Sequence, residues 1–187
     1  MDDATLNSAL EQAQQGDKAA FGRVYEHFAT RVFRLCNKLL RSRAAAEDAT
    51  SEVFERAQLA LESYDRGRPF ERWLLAIASR HCLNHLRRSR TERRLFHDDP
   101  PELATAAASH SPLALCETRQ ERDALQQAID RLSENYRLPV ILKYYCDLSY
   151  DEIANELGMT RDNVAVSLHR AKRELRLTLG SWQKEKA

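Results

Sequence analysis

The chain has 187 residues, enough for one large domain or two small ones, and its 29 basic residues nearly balance its 28 acidic ones. No apolar run approaches the roughly 20 residues that cross a bilayer, and the N-terminus lacks an apolar signal core, which favours a cytoplasmic protein without direct membrane insertion. With only five glycines, five prolines and no alternating strand pattern, the sequence predicts an all-α fold.

Four helices are predicted in the first half of the chain. The apolar side of the second includes Tyr25, and the third turns mainly alanines inward. A loop at residues 63–69, which contains Gly67 and Pro69, precedes the fourth. The helices are predicted at about residues 5–15, 18–41, 45–61 and 70–94.

Charge is distributed unevenly over the third and fourth of these helices. Residues 44–62 contain five acidic side chains and only Arg56 as a basic one, whereas residues 80–94 contain six arginines and only Glu92 as an acidic residue. Opposite blocks of this kind indicate two different partners, or one partner that meets two surfaces.

Residues 97–114 differ in composition from the segments on either side. They contain three of the five prolines and several small residues without an amphipathic period, which predicts a flexible linker. Beyond them, Thr118 and Glu121 form a capping box that predicts a helix start. The sequence therefore predicts two small helical domains, at residues 1–96 and 115–187. The helices of the second are predicted at about residues 118–131, 134–145, 150–157 and 161–179.

Cysteine and histidine spacing gives no indication of an enzyme. The four cysteines are far apart and form no C-x-x-C pair, so we expect reduced, structural thiols. His81, Cys82 and His85 are neighbours on one predicted helix, but a zinc site normally needs more well-placed ligands. Because no Gly-rich phosphate loop or catalytic triad is present either, we predict a non-enzyme without catalytic residues, metal or other cofactors.

The most informative part of the chain lies near its C-terminus. Ser149 and Glu152 form a capping box, and Gly158 ends the short helix because glycine adopts the left-handed conformation at little cost. Thr160 or Asp162 then caps a longer helix. A capped helix, a glycine turn and a basic helix together predict a helix-turn-helix whose second helix enters the DNA major groove.

The second helix of this motif combines an apolar stripe with basic residues. Val164, Leu168 and Ala171 recur at three- and four-residue steps and are predicted to face the core. Between Arg161 and Arg176, five basic residues stand against two acidic ones. A solvated charged face is the alternative interpretation of this helix taken alone. The polar residues off the stripe are Arg161, Asn163, Ser167, Arg170, Lys172 and Arg173.

Four ordered segments match a known protein family. Residues 17–28 look like the family's opening helix, and residues 46–57 (A-E-D-A-T-S-E-V-F-E-R-A) resemble its A-E-D-x-x-Q-E-x-F-x-x-A motif. Residues 70–88 resemble F-x-x-W-L-x-x-I-A-x-N-x-x-x-x-x-x-R-R, and residues 148–157 resemble L-S-Y-x-E-I-A-x-x-L. On these motifs the chain resembles, over nearly its whole length, the extracytoplasmic-function (ECF) group of bacterial RNA polymerase sigma factors. The resemblance implies a factor that directs promoter-specific transcription initiation.

The resemblance implies that the acidic third helix binds core RNA polymerase. Asp48, Glu52 and Phe54 match the family motif, and two carboxylates four residues apart beside an aromatic residue form a reasonable docking surface. Ser51 stands where the family often has glutamine, which removes one polar contact. A solvated acidic face is the alternative interpretation of these residues alone.

The resemblance also implies that the loop and the fourth helix bind the promoter element nearest the start site. Unpaired bases stack on aromatic rings or enter pockets that such rings line, and arginines meet phosphates. Trp73 is alternatively a core residue, and Arg80 departs from the asparagine of many relatives. The expected contacts are Tyr64, Phe70, Trp73, Arg80, Asn84, Arg87 and Arg88.

By the same resemblance, the helix-turn-helix reads the distal promoter element as duplex DNA. Arginine pairs bidentately with guanine, and asparagine pairs with adenine. Many relatives carry basic residues where this chain has Ala165 and Ser167, so fewer phosphate contacts are expected here. The expected contacts are Arg161, Asn163, Ser167, His169, Arg170, Lys172 and Arg173.

The predicted partners are core RNA polymerase, promoter DNA and an anti-sigma factor. In this family such an inhibitor commonly wraps the two domains and blocks the polymerase-binding face. Two other functions stay open at this stage: a conventional helix-turn-helix repressor or activator, and a helical nuclease or metal-dependent hydrolase. The first leaves the acidic helix without a task, and the second needs convergent carboxylates or histidines, which the sequence lacks.

Overall fold

The structure is a computed structural model that describes the backbone of residues 1–96 and 116–185 and the side chains of residues 1–91 and 123–180. Within these ranges the chain forms eight α-helices and one 3-10 turn, with no β-strand. The predicted all-α fold is therefore confirmed. No helix in the described ranges has the length and apolar character needed to span a bilayer.

The chain divides into two compact units, Met1–Ala106 and Ala107–Ala187. The predicted linker at residues 97–114 lies outside the described residues, so the linker and the domain boundaries that depend on it stay predictions. Each unit is described by itself below.

The first unit contains four helices in the order that the sequence predicted. They are α1 (Asp3–Gln14), α2 (Lys18–Leu40), α3 (Arg43–Ala60) and α4 (Phe70–Phe96), with a 3-10 turn (Leu61–Ser63) after α3. Short polar side chains begin the helices, because they accept hydrogen bonds from backbone N–H groups that have no partner within the helix. The Asp17 carboxylate accepts from Ala19 (2.8 Å) and Ala20 (3.1 Å), and the Ser42 hydroxyl accepts from Ala45 (3.3 Å).

Helix α2 is the centre of the first unit and packs against the other three helices. Its long apolar side chains meet an inner side of α3 that is built from small residues. Small side chains let two helices approach closely, and close packing leaves the opposite side of α3 as a regular outer surface. The buried residues of α3 are Ala46, Ala49, Thr50, Val53, Phe54 and Ala57.

The second unit also contains four helices: α5 (Cys116–Arg131), α6 (Glu134–Tyr144), α7 (Tyr150–Leu157) and α8 (Arg161–Glu185). Helix α8 packs against the other three. Helix α5 begins at Cys116, two residues before the predicted start near Thr118, so Thr118 lies inside the helix and does not cap it. Pro139 lies buried in the second turn of α6, where proline has no N–H to donate to the carbonyl of Asn135.

The turn chemistry of the helix-turn-helix agrees with the sequence prediction. The Ser149 hydroxyl accepts from the Glu152 N–H at 3.2 Å, and the Glu152 carboxylate accepts from the Ser149 N–H at 2.7 Å, which completes the capping box. Gly158 ends α7 in the left-handed conformation, with φ of 64°. The Thr160 hydroxyl then accepts from the Asn163 N–H at 3.2 Å and caps α8.

Candidate docking and nucleic-acid interfaces

The outer side of α3 carries a row of exposed side chains, which we call the acidic face. Asp48, Glu52, Glu55 and Leu59 follow one another at four-, three- and four-residue steps, and such steps keep residues on one side of a helix. Leu59 is 87% exposed and adds an apolar group to three carboxylates. A row of this composition suits a basic surface on a protein partner. Periodicity in the sequence could have identified Leu59, because it continues the spacing of the carboxylates.

Glu52 contacts cationic or titratable groups on two helices. Its Oε2 lies 3.6 Å from a guanidinium nitrogen of Arg56 and 3.9 Å from Nε2 of His81 on α4. Burial lowers the pKa of His81, and the Glu52 carboxylate opposes that shift. His81 is therefore mainly neutral near pH 7. Asp48 forms no ion pair with any described residue.

The aromatic residue expected on the acidic face, Phe54, is buried instead. It is only 3% exposed and packs against the rings of Phe21 and Tyr25, with centroid distances of 6.5 and 4.6 Å. Tyr25, predicted to face inward, is 41% exposed. Both rings lie at the α2–α3 contact, but periodicity does not indicate which ring covers the other. Tyr25 is the ring that a partner can reach from this side of α3.

Three aromatic residues around the start of α4 pack on one another. The ring centroids of Tyr64, Phe70 and Trp73 lie between 5.1 and 5.3 Å apart, and Phe28 of α2 supports Phe70 at 5.4 Å. Tyr64 and Phe70 are buried, whereas Trp73 is half-buried. An incoming base could therefore stack on Trp73, with the other two rings as walls behind it.

The loop between the 3-10 turn and α4 is held by its own side chains. The Tyr64 hydroxyl donates to the carbonyl of Arg68 at 2.5 Å, and the Asp65 carboxylate accepts from the Gly67 N–H at 2.9 Å. Burial raises the pKa of Tyr64, so its hydroxyl stays protonated and donates. A Cβ at Gly67 would lie 3.1 Å from the Asp65 carboxylate, so the loop has little room for a side chain there. Arg68, which the sequence analysis did not select, is exposed on this loop.

The same loop is bonded to helix α1. The side-chain amide of Gln14 donates to the carbonyl oxygens of Leu61 (2.9 Å) and Tyr64 (3.4 Å), and its oxygen accepts from Nε of Arg66 (2.7 Å). Arg66 also lies 3.4 Å from the Glu11 carboxylate. These partners are 47 to 52 residues from Gln14 in sequence, and no local pattern indicates such a contact.

Helix α4 presents polar residues on the same side as Trp73. Arg80, Asn84 and Arg87 follow at seven-, four- and three-residue steps, so the row continues away from the aromatic cluster. The Arg87 guanidinium donates to Oδ1 of Asn84 at 2.9 Å, which orients the amide. Arg88 is exposed beside this row. The structure therefore brings together the aromatic and the polar residues that the sequence analysis selected for single-stranded DNA.

His81 and His85 lie four residues apart on one side of α4, whereas Cys82 points to another side. Cys82 is buried in the core, where its hydrogen bond to Cys36 lowers the pKa of the Cys36 thiol, whereas His85 is exposed. Among the described residues, no group of three histidine, cysteine or acidic side chains is placed to hold a metal ion.

Helix α8 separates its core side from its exposed side as predicted. Val164, Leu168 and Ala171 are buried against the other helices of the second unit. The opposite side is exposed and mainly polar, which is the arrangement that a helix needs to enter a DNA groove. Its exposed residues include Asn163, Val166, His169, Arg170 and Arg173.

Three predicted DNA contacts of α8 lie away from the centre of this side. Ser167, predicted off the apolar stripe, is only 7% exposed, because buried Val164 lies one turn before it and buried Ala171 lies one turn after it. Lys172 lies over the ring of Tyr144, with Nζ 5.7 Å from the centroid, and the hydrogen bond that Lys172 donates to the Tyr144 hydroxyl oxygen raises the pKa of Lys172. Arg161 pairs with Asp151 of α7 at 3.5 Å.

Val166 is an exposed residue on this side that the sequence analysis missed. It is 47% exposed, and Asn163 and Arg170 are its neighbours at three- and four-residue steps. A small apolar side chain between two polar ones can contact a thymine methyl group in the major groove. The signal was present in the sequence, since the residue breaks the polar pattern of the helix.

A chain with a helix-turn-helix in one unit and an acidic helix beside a basic, aromatic one in the other has the architecture of a transcription factor. Two family models match it: Sigma-70 region 2 over residues 24–92, and Sigma-70, region 4 over residues 122–175. The chain belongs to the ECF group of RNA polymerase sigma factors, which are transcription regulators and not enzymes.

Relatives match along most of the chain. It is 26% identical over 183 residues to the ECF RNA polymerase sigma factor SigW of Bacillus subtilis (strain 168), an alignment that covers 93% of this chain and 96% of that protein. It is 31% identical over 175 residues to the ECF RNA polymerase sigma factor SigE of Mycolicibacterium smegmatis, with 92% of this chain and 67% of that protein covered.

Solved structures share the fold. The sigma factor RpoE from Bartonella quintana, crystallised with the anti-sigma factor NepR, matches with a TM-score of 0.63 at 18% identity, over 86% of this chain and 96% of that one. CnrH, in complex with the cytosolic domain of CnrY, matches with a TM-score of 0.55 at 19% identity, over 95% and 98% of the two chains. Both similarities support the helical fold described above.

Proposed function

We propose that this sigma factor divides its work between its two units: the first binds core RNA polymerase and unpaired promoter DNA, and the second binds duplex DNA. The observation that carries the proposal is the segregation of exposed charge by helix. Carboxylates line the outer side of α3, whereas arginines line the exposed sides of α4 and α8. Surfaces of opposite sign favour different partners, because like charges repel and unlike charges steer association.

The acidic face supports docking on a basic surface of core polymerase. Asp48 and Glu52 supply charge, and Leu59 supplies an apolar contact on the same side of the helix. Tyr25 adds an exposed ring at the α2 side. A few apolar and aromatic side chains carry most of the affinity of a typical interface, while charges at its rim set the rate of association.

The aromatic cluster and the polar row of α4 support binding of the proximal promoter element as a single strand. Trp73 offers a face for stacking, and base stacking on an aromatic side chain contributes about 1–3 kcal/mol per base. In this mechanism the free energy for strand opening comes from the bound single strand and not from nucleotide hydrolysis. The proposed contacts are Tyr64, Phe70, Trp73, Arg80, Asn84, Arg87 and Arg88.

The exposed side of α8 supports binding of the distal element as duplex DNA. Asn163 suits adenine, Arg170 suits guanine, and Val166 suits the methyl group of thymine. Arg173 and His169 flank them and suit phosphates. Steps of three and four residues along a helix in the major groove bring side chains to neighbouring base pairs, so these residues read one short block of sequence.

Run-off transcription with purified core polymerase on a pool of randomised promoters tests the proposal. We expect transcripts that depend on this protein and share two short sequence elements. A conventional helix-turn-helix regulator would instead bind palindromic DNA as a dimer and would not form a one-to-one complex with core polymerase. Absence of both the complex and the transcripts would contradict the proposal.

We also propose that an anti-sigma factor controls this protein in the cytoplasm. Two relatives in fold were crystallised with partners of this kind or with a cytosolic domain. An inhibitor that covers the acidic face would compete directly with polymerase. Adding a co-encoded inhibitor to the run-off reaction should abolish promoter-dependent transcripts, and undiminished transcription at saturating inhibitor would contradict this part of the proposal.

A further inference from the structure

Helix α1 has no role in the proposed function so far, yet it bonds to the loop that precedes α4. That loop contributes Tyr64 to the aromatic cluster proposed to receive an unpaired base. We infer that Gln14 is a positioning residue for single-stranded promoter DNA, because it holds this loop in the shape that receives the base. The inference rests on the proposed function of the first unit.

The Gln14 side chain uses both ends of its amide on the loop. Its nitrogen donates to the carbonyl oxygens of Leu61 and Tyr64, and its oxygen accepts from Arg66. The Leu61 carbonyl also accepts from the Tyr64 N–H at 3.1 Å, so both of its lone pairs are used. A single side chain therefore ties Leu61 of the 3-10 turn and two residues of the loop to α1.

The bonds of Gln14 continue into the aromatic cluster. Its two carbonyl contacts fix the backbone on either side of the 3-10 turn, and the second belongs to Tyr64 itself. The Tyr64 ring packs on Phe70 and Trp73, and its hydroxyl donates to Arg68. Displacing the Tyr64 backbone would therefore move a wall of the proposed base site. A preformed site binds more tightly, because the loop loses less conformational freedom when DNA arrives.

Helix α1 has other anchors, so losing Gln14 should not unfold it. Ala9 and Leu10 are buried against the rest of the unit, and the Asp2 carboxylate caps the first turn by accepting from Thr5 at 2.8 Å. Gln12 accepts from Arg23 of α2 at 2.7 Å. The loop contact can therefore be removed separately from the helix.

Two substitutions and a matched control test the inference. Gln14→Met keeps the length of the side chain but removes all three hydrogen bonds, and Gln14→Glu keeps an acceptor for Arg66 but removes the donors to the two carbonyls. Gln15→Met makes the same chemical change at the next position, whose exposed side chain has no bond to the loop. Each variant is assembled with core polymerase into holoenzyme.

The probe is a forked fragment of the promoter selected by run-off transcription, with its proximal element unpaired and one base replaced by 2-aminopurine, whose fluorescence changes when the base moves from the DNA stack onto the protein. A duplex fragment with the distal element measures the second unit. We expect Gln14→Met and Gln14→Glu to bind the forked fragment about five- to tenfold more weakly, the effect of one to two lost hydrogen bonds. The change in 2-aminopurine fluorescence on binding should also be smaller for these two variants than for wild type.

Binding of core polymerase and of the duplex fragment should stay within about twofold of wild type, and Gln15→Met should match wild type throughout. Wild-type affinity of Gln14→Met for the forked fragment would overturn the inference. So would an equal loss of core polymerase binding, because that result means general damage to the unit. Wild-type behaviour of Gln14→Glu alone would assign the effect to Arg66 and overturn the role of the two carbonyl contacts. If wild-type holoenzyme itself shows no preference for the forked fragment, the proposed function fails instead.

Discussion

Single side chains on α8 carry the expected sequence specificity of the second unit. Arg170→Ala should weaken binding to the distal element by about 1–3 kcal/mol, because it removes the proposed bidentate contact to a base. Electrophoretic mobility shifts of holoenzyme on the duplex fragment measure the loss. Arg131→Ala removes an exposed arginine at the end of α5 and serves as the control. An equal loss of affinity for the selected and for a scrambled element in Arg170→Ala would contradict base reading by Arg170.

On the acidic face, two carboxylates should act on one partner. Asp48→Ala combined with Glu52→Ala should lower affinity for core polymerase about tenfold, since exposed charges at an interface contribute modestly and mainly through the rate of association. Surface plasmon resonance with immobilised core polymerase separates that rate from dissociation. The circular dichroism spectrum should be unchanged, because both residues are exposed. Glu26→Ala, an exposed carboxylate of α2, should bind core polymerase like wild type.

Burial of His81 makes the stability of the first unit depend on pH. Its pKa is lowered in the folded protein, mainly by burial and with Glu52 acting in opposition, so the unfolded chain binds more protons below the ordinary histidine pKa of about 6.5. The free energy of unfolding should therefore be unaffected by His81 above this pH and decrease as pH falls below it. Urea unfolding at pH 7.5 and 5.5 should show a smaller decrease for His81→Gln than for wild type. An identical decrease in both proteins would contradict the assignment.

Helix ends were the part of the fold that local sequence predicted best. Ser149, Gly158 and Thr160 each act on backbone groups within a few residues, so their effect can be predicted from a short stretch of sequence. Thr118 misled because a capping pattern also occurs inside helices, and α5 begins before it. A cap predicts a boundary only when the preceding residues do not continue the helix.

Contacts between elements were predicted less well, for a different physical reason. Periodicity assigned Tyr25 to the apolar side of α2, and the family motif assigned Phe54 to the acidic face, but which ring becomes exposed depends on how the two helices are rotated. Ser167 was misjudged in the same way, at the edge of the apolar side of α8. The bonds of Gln14 depend on a distant loop and leave no periodic signal. The rows on α3 and α4 were predictable because each lies on one helix.

The glycine turn of the helix-turn-helix offers a test of element geometry. Gly158→Ala should destabilise the second unit by about 1–2 kcal/mol, because a side chain is strained in the left-handed conformation that this residue adopts. Gly180→Ala is the matched control: it lies within α8, has open space around it, and should stabilise the helix by up to about 1 kcal/mol. Urea unfolding followed by circular dichroism measures both. A stability loss of equal size in the two variants would contradict the role of the turn.

For the whole molecule, two compact units imply that substitutions in each unit change promoter affinity independently. Arg87 and Arg170 belong to different compact units, so the losses of promoter affinity from Arg87→Ala and Arg170→Ala should add within about 0.5 kcal/mol in the double variant. Equilibrium binding of holoenzyme to a promoter with both elements measures the three values. If the double variant binds the promoter as tightly as the single variant with the lower affinity, both residues act on one contact.

The small residues on the inner side of α3 have a consequence for how this sigma factor can change. The small side chains of Ala46, Ala49 and Ala57 set the distance between α3 and the helices that pack against it. Adding one methylene there would shift the helix bodily and carry Asp48 and Glu52 with it. Affinity for the transcription machinery could then drift in evolution through residues that never touch it, while every visible surface side chain stays the same.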